Sequence, residues 1–213
     1  MYVYMKCICK NQNRIVFLEG LPGVGKTTIV NTIKQRWDRS VHTVDEIVVD
    51  LQKKTKLNED IYIINDNKKI NMYNSGIVVI DRGPISTLSY SQTREMIDES
   101  YFPLNIKKWF DSIKELYNQE NVKVIFLTAK GKKYFLPLED NSDPYGSIQN
   151  QKLLEKITIN NCKKYVKNLK IIEYYQENME DIIYEIINPH IMELDGMGSS
   201  KGVLKRIKEK NCL

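Results

Sequence analysis

A glycine-rich segment at residues 20–28 carries the residue types that bind a polyphosphate. It reads Gly-Leu-Pro-Gly-Val-Gly-Lys-Thr-Thr and matches the pattern G-x-x-x-x-G-K-[ST] at every fixed position. Glycines let the backbone turn its N–H groups towards an anion, the lysine reaches the terminal phosphates, and the next hydroxyl binds Mg²⁺. We therefore predict a site for ATP and Mg²⁺ whose residues are Gly20, Gly23, Val24, Gly25, Lys26, Thr27 and Thr28.

A second chemical signal follows a strongly apolar run. Residues 76–80, Gly-Ile-Val-Val-Ile, lead directly into Asp81 and Arg82. An acid at the carboxyl end of a buried strand beside the loop can hold Mg²⁺ together with Thr27. An adjacent arginine can bind a second anion with its planar fork. A surface ion pair is the alternative explanation, since strand ends often carry charges.

These residues need a parallel sheet to bring them together. Apolar runs alternate along the chain with segments of helical spacing, a pattern typical of α/β folds whose parallel strands are joined by crossover helices. We predict a three-layer P-loop NTPase fold with a five-stranded parallel sheet and flanking helices. The predicted strands are residues 14–19, 41–45, 76–81, 122–128 and 169–174, and the predicted helices are 27–37, 46–54, 85–98, 106–119, 148–166 and 179–187.

Composition and charge narrow the functional classes. The chain has 213 residues and a formal net charge of +5, of which residues 201–213 contribute +4 through five basic residues and one acid. The remainder is nearly neutral, so we predict no nucleic-acid-binding face. No apolar run approaches the roughly 18 residues needed to span a bilayer, and the four cysteines and two histidines form no metal-binding pattern. We expect a cytoplasmic protein that is not embedded in a membrane.

Three segments resemble the thymidylate kinase-like branch of P-loop kinases, with deoxynucleoside kinases as more distant relatives. Residues 17–28 are similar to the phenylalanine-x-glutamate-glycine sequence that opens the thymidylate kinase P-loop. Residues 81–90 resemble the Asp-Arg motif of that family, with Ser86 and Tyr90 where the family places a serine and a tyrosine. Residues 41–46 end a second predicted strand in acids, as in members that hold a carboxylate there.

The resemblance implies a role for each matched residue. Lys26 and Thr27 would serve ATP and Mg²⁺, and Asp81 would organise the metal. Arg82 would contact the phosphoryl acceptor or the transferring group. The predicted catalytic residues are Lys26, Asp81, Arg82 and Glu46. The predicted metal ligands are Thr27 and Asp81.

On the acceptor side the resemblance implies that Glu46, in preference to Asp45, takes the proton from an attacking hydroxyl. The alternative for Glu46 is an acid in the first turn of a helix, where the helix dipole favours negative charge. The segment 129–146 contains lysines but no arginine, whereas family lids supply arginines, so Arg94 is a candidate replacement. The predicted substrate-binding residues are Arg82, Ser86, Tyr90 and Arg94.

The remaining segments define the domain organisation. Residues 55–75 lack a regular pattern, and residues 129–146 are interpreted as a lid region. Pro189 is expected to end the last helix. We predict a single P-loop kinase-like domain at 1–195 and a basic C-terminal tail at 196–213.

The function predicted from these residues is ATP-dependent phosphoryl transfer to a small acceptor, a nucleoside or a nucleoside monophosphate. The alternative is a nucleotide-dependent regulatory ATPase or switch that acts on a macromolecular partner. Tyr174 and Tyr175 follow the last predicted strand and either stack on the nucleotide base or pack at the rim of the sheet. The sequence leaves open whether the chain is a monomer or a homodimer, since related kinases often dimerise through helices that flank the core.

Overall fold

The five apolar runs of the sequence form one parallel sheet. The computed structural model describes residues 14–37, 41–49, 60–73, 75–98, 101, 104–128, 145–175 and 178–194. The strands lie in the order β2-β3-β1-β4-β5, and every neighbouring pair is parallel. The predicted fold class is confirmed. The strands are β1 (Arg14–Gly20), β2 (Val41–Val44), β3 (Ile77–Asp81), β4 (Val122–Thr128) and β5 (Leu169–Glu173).

Helices cover both faces of this sheet. They are α1 (Lys26–Trp37), α2 (Asp60–Ile70), α3 (Pro84–Ile97), α4 (Leu104–Ile113), α5 (Ile148–Tyr165) and α6 (Met179–Leu194), with a 3₁₀ turn at Lys114–Asn118 after α4. The predicted helix 106–119 is therefore divided between α4 and this turn. No helix in the part of the chain that the structure describes is long and apolar enough to cross a membrane.

Two apolar clusters give the molecule its three layers. Successive side chains of a strand point to opposite faces of a sheet. Phe17 and Ile80 therefore pack in one cluster, which also contains residues of α2, α3, α4 and α5. Val16 and Val79 pack in the other cluster, against α1 and α6. Because helices cover both faces, the central strands are apolar along nearly their whole length.

The sheet places three strand ends side by side. β3 lies between β1 and β2, and the register pairs Leu18 with Asp81 and Val44 with Ile80. The glycine-rich loop follows β1, Arg82 follows β3, and Glu46 lies two residues after the end of β2. In open parallel sheets, ligands bind at the carboxyl ends of the strands. The order of the strands thus brings the loop, Asp81, Arg82 and Glu46 to one edge of the sheet.

Residues 55–75, predicted to be irregular, contain helix α2 (Asp60–Ile70). That prediction was wrong because three of the buried positions of α2 are polar, namely Asn65, Asp66 and Lys69. A helix whose inner face is polar shows no apolar periodicity in its sequence. The predicted helix 46–54 was also wrong over 46–49, which are not helical. Residues 50–54 lie outside the described residues.

The last helix continues beyond its predicted end. α6 runs through Pro189 to Leu194, although the sequence predicted an end at residue 187. A proline removes one backbone hydrogen bond and crowds the carbonyl four residues earlier, and a helix accommodates both effects by bending. Of the predicted lid, only Tyr145 and Gly146 lie within the described residues, and the predicted tail lies outside them.

Candidate active site

The glycine-rich loop joins β1 to α1 in a path that only glycine fits at two points. Gly20 has φ 140°, and a Cβ there would lie 2.5 Å from the carbonyl oxygen of Leu127 on β4. Gly25 has φ 95°, and a Cβ there would lie 2.4 Å from Cε1 of Tyr174. The loop is therefore pressed against the sheet at one end and against a tyrosine ring at the other. Tyr174 packs at this rim, in agreement with one of the two predicted roles.

Lys26, the first residue of α1, lies inside the loop that precedes it. Its side chain is buried, and Nζ donates hydrogen bonds to the carbonyl oxygens of Gly20 (3.0 Å) and Leu21 (2.8 Å). Burial, together with the nearby positive charge of Arg82, lowers the pKa of Lys26 to about 7. A polyphosphate would offer this ammonium a stronger partner than the loop carbonyls do.

Thr27 and Asp81 form a pair that fits a divalent cation. Oγ1 of Thr27 donates to Oδ2 of Asp81 at 2.8 Å, across 54 residues of sequence. Oδ1 of Asp81 is buried and has no hydrogen-bond partner among the described residues. Burial raises the pKa of Asp81. Mg²⁺ prefers oxygen ligands such as carboxylates and hydroxyls. A cation here would neutralise the charge of the buried Asp81 carboxylate and bind its unpartnered Oδ1. The two predicted ligands therefore fit this metal.

The remaining cofactor-site residues occupy the same loop and the start of α1. The side chain of Val24 is buried in the core cluster beneath the loop. Gly23 has φ 76°, and Thr28 is exposed on the first turn of α1. All seven predicted residues lie in one continuous segment, so the chain itself brings them together.

Arg82 joins the acceptor-side residues. Its backbone has φ 55°, the one positive φ among the described non-glycine residues. Nη1 donates to the hydroxyl of Tyr90 at 2.8 Å and forms an ion pair with Oε1 of Glu46 at 3.0 Å. The side chain of Arg82 is 12% exposed and that of Glu46 is 41% exposed. The carboxylate thus stands at the opening of the site, and the guanidinium lies behind it.

Two of the predicted substrate-binding residues have other partners in the structure. Ser86 is buried, and its hydroxyl donates to the carboxylate of Glu19. Arg94 lies about 15 Å along the axis of α3 from its first residue. Its guanidinium carbon lies 4.4 Å from the centre of the Tyr101 ring. The structure therefore gives Ser86 a buried partner and turns Arg94 towards Tyr101, and their contacts with substrate stay predictions.

Tyr145 connects the end of the predicted lid to the acceptor side. Its hydroxyl donates to the carbonyl oxygen of Tyr90 at 2.8 Å, and the two rings meet edge to face with centres 4.8 Å apart. Tyr90 in turn lies under Arg82, whose guanidinium carbon is 5.2 Å from the ring centre. A movement of residue 145 would therefore reach Arg82 through one intervening side chain.

Glu19 is a buried carboxylate that sequence analysis placed in the motif but did not interpret. It accepts a hydrogen bond from the backbone N–H of Gly83 at 3.0 Å and another from the hydroxyl of Ser86. Burial raises the pKa of Glu19 to about 7 even though these hydrogen bonds lower it. Its signal in the sequence is a charge inside an otherwise apolar strand.

The inner face of α2 supplies further residues that sequence analysis missed. The side-chain amide of Asn65 donates to the carbonyl oxygen of Glu46 at 2.9 Å and accepts from the N–H of Val48 at 2.8 Å. Asp66 accepts from the hydroxyl of Thr87 at 2.6 Å. No local pattern pointed to these contacts, because the helix that carries them was not predicted.

Comparison with known proteins finds this fold in solved structures. No protein-family model matches the chain, and no curated protein matches its sequence. Solved structures do match. Thymidylate kinase from Candida albicans superposes with a TM-score of 0.59 at 13% identity, over 88% of this chain and 96% of that one. Thymidylate kinase from Ehrlichia chaffeensis superposes with a TM-score of 0.50 at 15% identity, over 82% of this chain and 96% of that one.

A third structure has the same fold. The YorR protein from Bacillus subtilis, solved in complex with phosphorylated GDP, gives a TM-score of 0.53 at 16% identity, over 84% of this chain and 96% of that one. At such low identities a structural match establishes the fold alone. The chain therefore has the fold of the thymidylate kinase-like P-loop kinases.

Proposed function

We propose that the chain transfers the terminal phosphoryl group of ATP to a small acceptor, a nucleoside or a nucleoside monophosphate. One observation carries the proposal. Lys26, Thr27, Asp81, Arg82 and Glu46 belong to three separate segments, and the sheet order β2-β3-β1 places them at one edge. Phosphoryl transfer requires positioning and charge neutralisation at such a point more than it requires covalent chemistry.

The donor side would be formed by the loop and α1. The loop N–H groups and the positive end of the α1 dipole favour a polyphosphate. Lys26 would exchange its carbonyl partners for phosphate oxygens, with its burial strengthening the attraction. Thr27 and Asp81 would hold Mg²⁺, which neutralises negative charge on the phosphates as it develops.

The acceptor side would be formed by Arg82 and Glu46. As the acceptor oxygen bonds to the γ-phosphorus, the bond to the β–γ bridging oxygen breaks and ADP leaves. If the acceptor is a hydroxyl, its proton passes to the Glu46 carboxylate and then to solvent. If the acceptor is a monophosphate, the attacking oxygen is already anionic, and Arg82 binds it in competition with Glu46.

The structural neighbours support an acceptor of nucleotide size. Two of them are thymidylate kinases, and the third was solved with phosphorylated GDP. We extend the proposal to the domain limits: one domain at 1–195 with a lid at 129–146, followed by a tail at 196–213. The proposal includes a cytoplasmic location and is compatible with either a monomer or a homodimer.

The test is ATP consumption with Mg²⁺, measured without an acceptor and with a panel of nucleosides, nucleoside monophosphates and small hydroxylated metabolites. The proposal predicts strong stimulation by one acceptor and a product heavier by one phosphoryl group, both abolished by chelating the metal. Turnover that is equal with every acceptor would favour the regulatory ATPase instead. Absence of both ATP binding and turnover would overturn the assignment of the loop.

A further inference from the structure

Lys69 on α2 is a buried lysine that the proposed reaction does not use. Its side chain is 2% exposed, and Nζ lies 3.0 Å from Oδ1 of the equally buried Asp66. Nζ also donates to the carbonyl oxygens of Glu46 (3.2 Å), Asp81 (3.3 Å) and Arg82 (2.8 Å). A buried ammonium must find partners for its N–H groups. The backbone partners of this one all belong to residues of the candidate site.

These hydrogen bonds join the ends of two neighbouring strands. Glu46 lies just beyond β2, and Asp81 is the last residue of β3. Asn65, one turn earlier on α2, reinforces the link because its side-chain amide binds the backbone at both Glu46 and Val48. The inner face of α2 therefore holds the loop that carries Glu46 against the turn that carries Arg82.

The turn at Arg82 is held by hydrogen bonds on both peptide groups that flank its Cα atom. The N–H of Arg82 donates to the carbonyl oxygen of Leu18 at 3.0 Å, and its own carbonyl oxygen accepts from Lys69. The next N–H, that of Gly83, donates to Glu19 at 3.0 Å. Arg82 has φ 55°, a region that residues with a Cβ adopt only at a cost in energy. Such a conformation persists where its surroundings hold it in place.

We propose that Lys69 is a positioning residue, which fixes Glu46 and Arg82 relative to each other so that their pair can meet an acceptor. The proposal rests on the proposed phosphoryl transfer and assigns Lys69 a role in it through these two residues. Lys69 contacts the backbone of both residues, whereas their side chains pair with each other. Its loss is expected to impair use of the acceptor more than binding of ATP.

The experiment compares Lys69→Met with Lys68→Met. Lys68 precedes Lys69 on α2 and is exposed; it donates to the carbonyl oxygen of Val48, and its described hydrogen bonds do not reach the turn at Arg82. Lys69→Met should lower kcat/KM for the acceptor by more than about tenfold and change the affinity for ATP by less than about twofold. Lys68→Met should change neither quantity by more than about twofold. An acceptor kcat/KM for Lys69→Met within twofold of the wild-type value would overturn the proposal.

A double-mutant cycle separates positioning from a general structural role. In an Arg82→Ala background, Lys69 has no guanidinium left to position, so Lys69→Met should have a much smaller effect on kcat/KM for the acceptor than in the wild type. An effect of the same size in both backgrounds would contradict the proposal. If Lys69→Met fails to fold because Asp66 is left buried without its partner, Asp66→Asn/Lys69→Met removes both charges together and takes its place.

A measurement on the free protein keeps this proposal separate from the proposed function. Amide hydrogen exchange should become faster at Arg82 and Gly83 in Lys69→Met, relative to the amides of β4, and not in Lys68→Met. Unchanged exchange at these two amides, or an equal increase throughout the sheet, would reject the role of Lys69. If no acceptor is phosphorylated by the wild type, the proposed function fails, and exchange still decides whether Lys69 holds the turn.

Discussion

The donor half and the acceptor half of the candidate site are built in different ways. Apart from Asp81, the donor half is a single segment, residues 20–28, whose position follows from one strand, one loop and one helix. The acceptor half gathers side chains from α2, α3 and the segments that follow β2 and β3, and few of its contacts join residues that are close in sequence. A contiguous motif therefore specifies its own geometry, whereas a dispersed one depends on the packing of the whole domain.

The two halves also differ in how firmly their residues are held in place. The loop is confined by backbone and ring atoms, with glycines where a Cβ would meet Leu127 or Tyr174. The side chain of Glu46 is 41% exposed and held by its ion pair with Arg82. An ion pair with one solvent-exposed partner can exchange that partner for another anion. We expect the donor half to bind a fixed chemical group and the acceptor half to determine which small molecule is used.

The largest expected effect is on the donor side. Lys26→Met should lower kcat by about 10²–10³-fold and weaken ATP binding, because it removes the ammonium inside the loop. Lys34→Met, an exposed lysine of the same helix, is the matched control and should leave both quantities unchanged. Steady-state kinetics and calorimetric titration with ATP would check this. Full activity in Lys26→Met would mean that the loop does not bind the donor.

The next effect tests the division between the halves. Arg82→Ala should lower kcat/KM for the acceptor by more than about tenfold, on the order of 1.4 kcal/mol, since Arg82 is assigned to the acceptor or the transferring group. ATP affinity should change much less, because the contacts described for Arg82 are with Tyr90 and Glu46. Steady-state kinetics with the acceptor and calorimetric titration with ATP would measure the two effects. An equal loss in ATP affinity would show that Arg82 belongs to the donor half.

Much of the donor half could be predicted from the sequence. The strands are apolar runs rich in β-branched residues, and the loop between β1 and α1 matches a pattern with a known physical purpose. Asp81 follows such a run, and the structure places it at hydrogen-bond distance from Thr27. The strands and the position of Asp81 could be predicted because each depended on neighbours in the chain, and the roles of these residues in binding ATP and Mg²⁺ stay predictions.

The acceptor half could be predicted only in part. Helix α2 was missed because its inner face carries Asn65, Asp66 and Lys69 in place of apolar residues. The hydroxyl of Ser86, predicted to bind substrate, donates to Glu19, a partner 67 residues away in sequence that was not predicted. Such pairs form only when β1 and α3 pack together, and the sequence has no local signal for them.

A smaller effect tests why the loop needs glycine. Gly25→Ala should weaken ATP binding by about tenfold, since its φ is 95° and its Cβ would meet the Tyr174 ring. Gly23→Ala is the matched variant, because its φ is 76° and no atom lies within 4 Å of the added Cβ. It should have a smaller effect, due to strain alone. Equal ATP affinities for the two variants would mean that the contact with Tyr174 does not matter.

A prediction of a different kind, on stability in place of activity, concerns the pH dependence of Glu19. The pKa of Glu19 is raised to about 7 by burial, so the folded protein binds this proton more tightly than the unfolded chain does. The resulting stabilisation is fully present below pH 4.5 and is lost as the pH rises through 7. Between pH 5 and pH 8, the wild type should lose on the order of 2 kcal/mol of unfolding free energy relative to Glu19→Gln.

Urea unfolding at several pH values would measure this difference. Glu115→Gln, an exposed position on the 3₁₀ turn, serves as the control and should follow the wild type at every pH. If Glu19→Gln also follows the wild type across this range, the buried carboxylate does not titrate as described, and its bonds to Gly83 and Ser86 hold it ionised throughout.

The most direct measurement follows the γ-phosphoryl group itself. ATP labelled with ¹⁸O at this group would be incubated with Mg²⁺, the wild-type protein and the acceptor that stimulates turnover most. The masses of the products would then be measured by mass spectrometry. If the two halves form one transfer site, the label should appear on the acceptor, and little of it should appear in inorganic phosphate. Label released as phosphate at the same rate with and without the acceptor would contradict that claim.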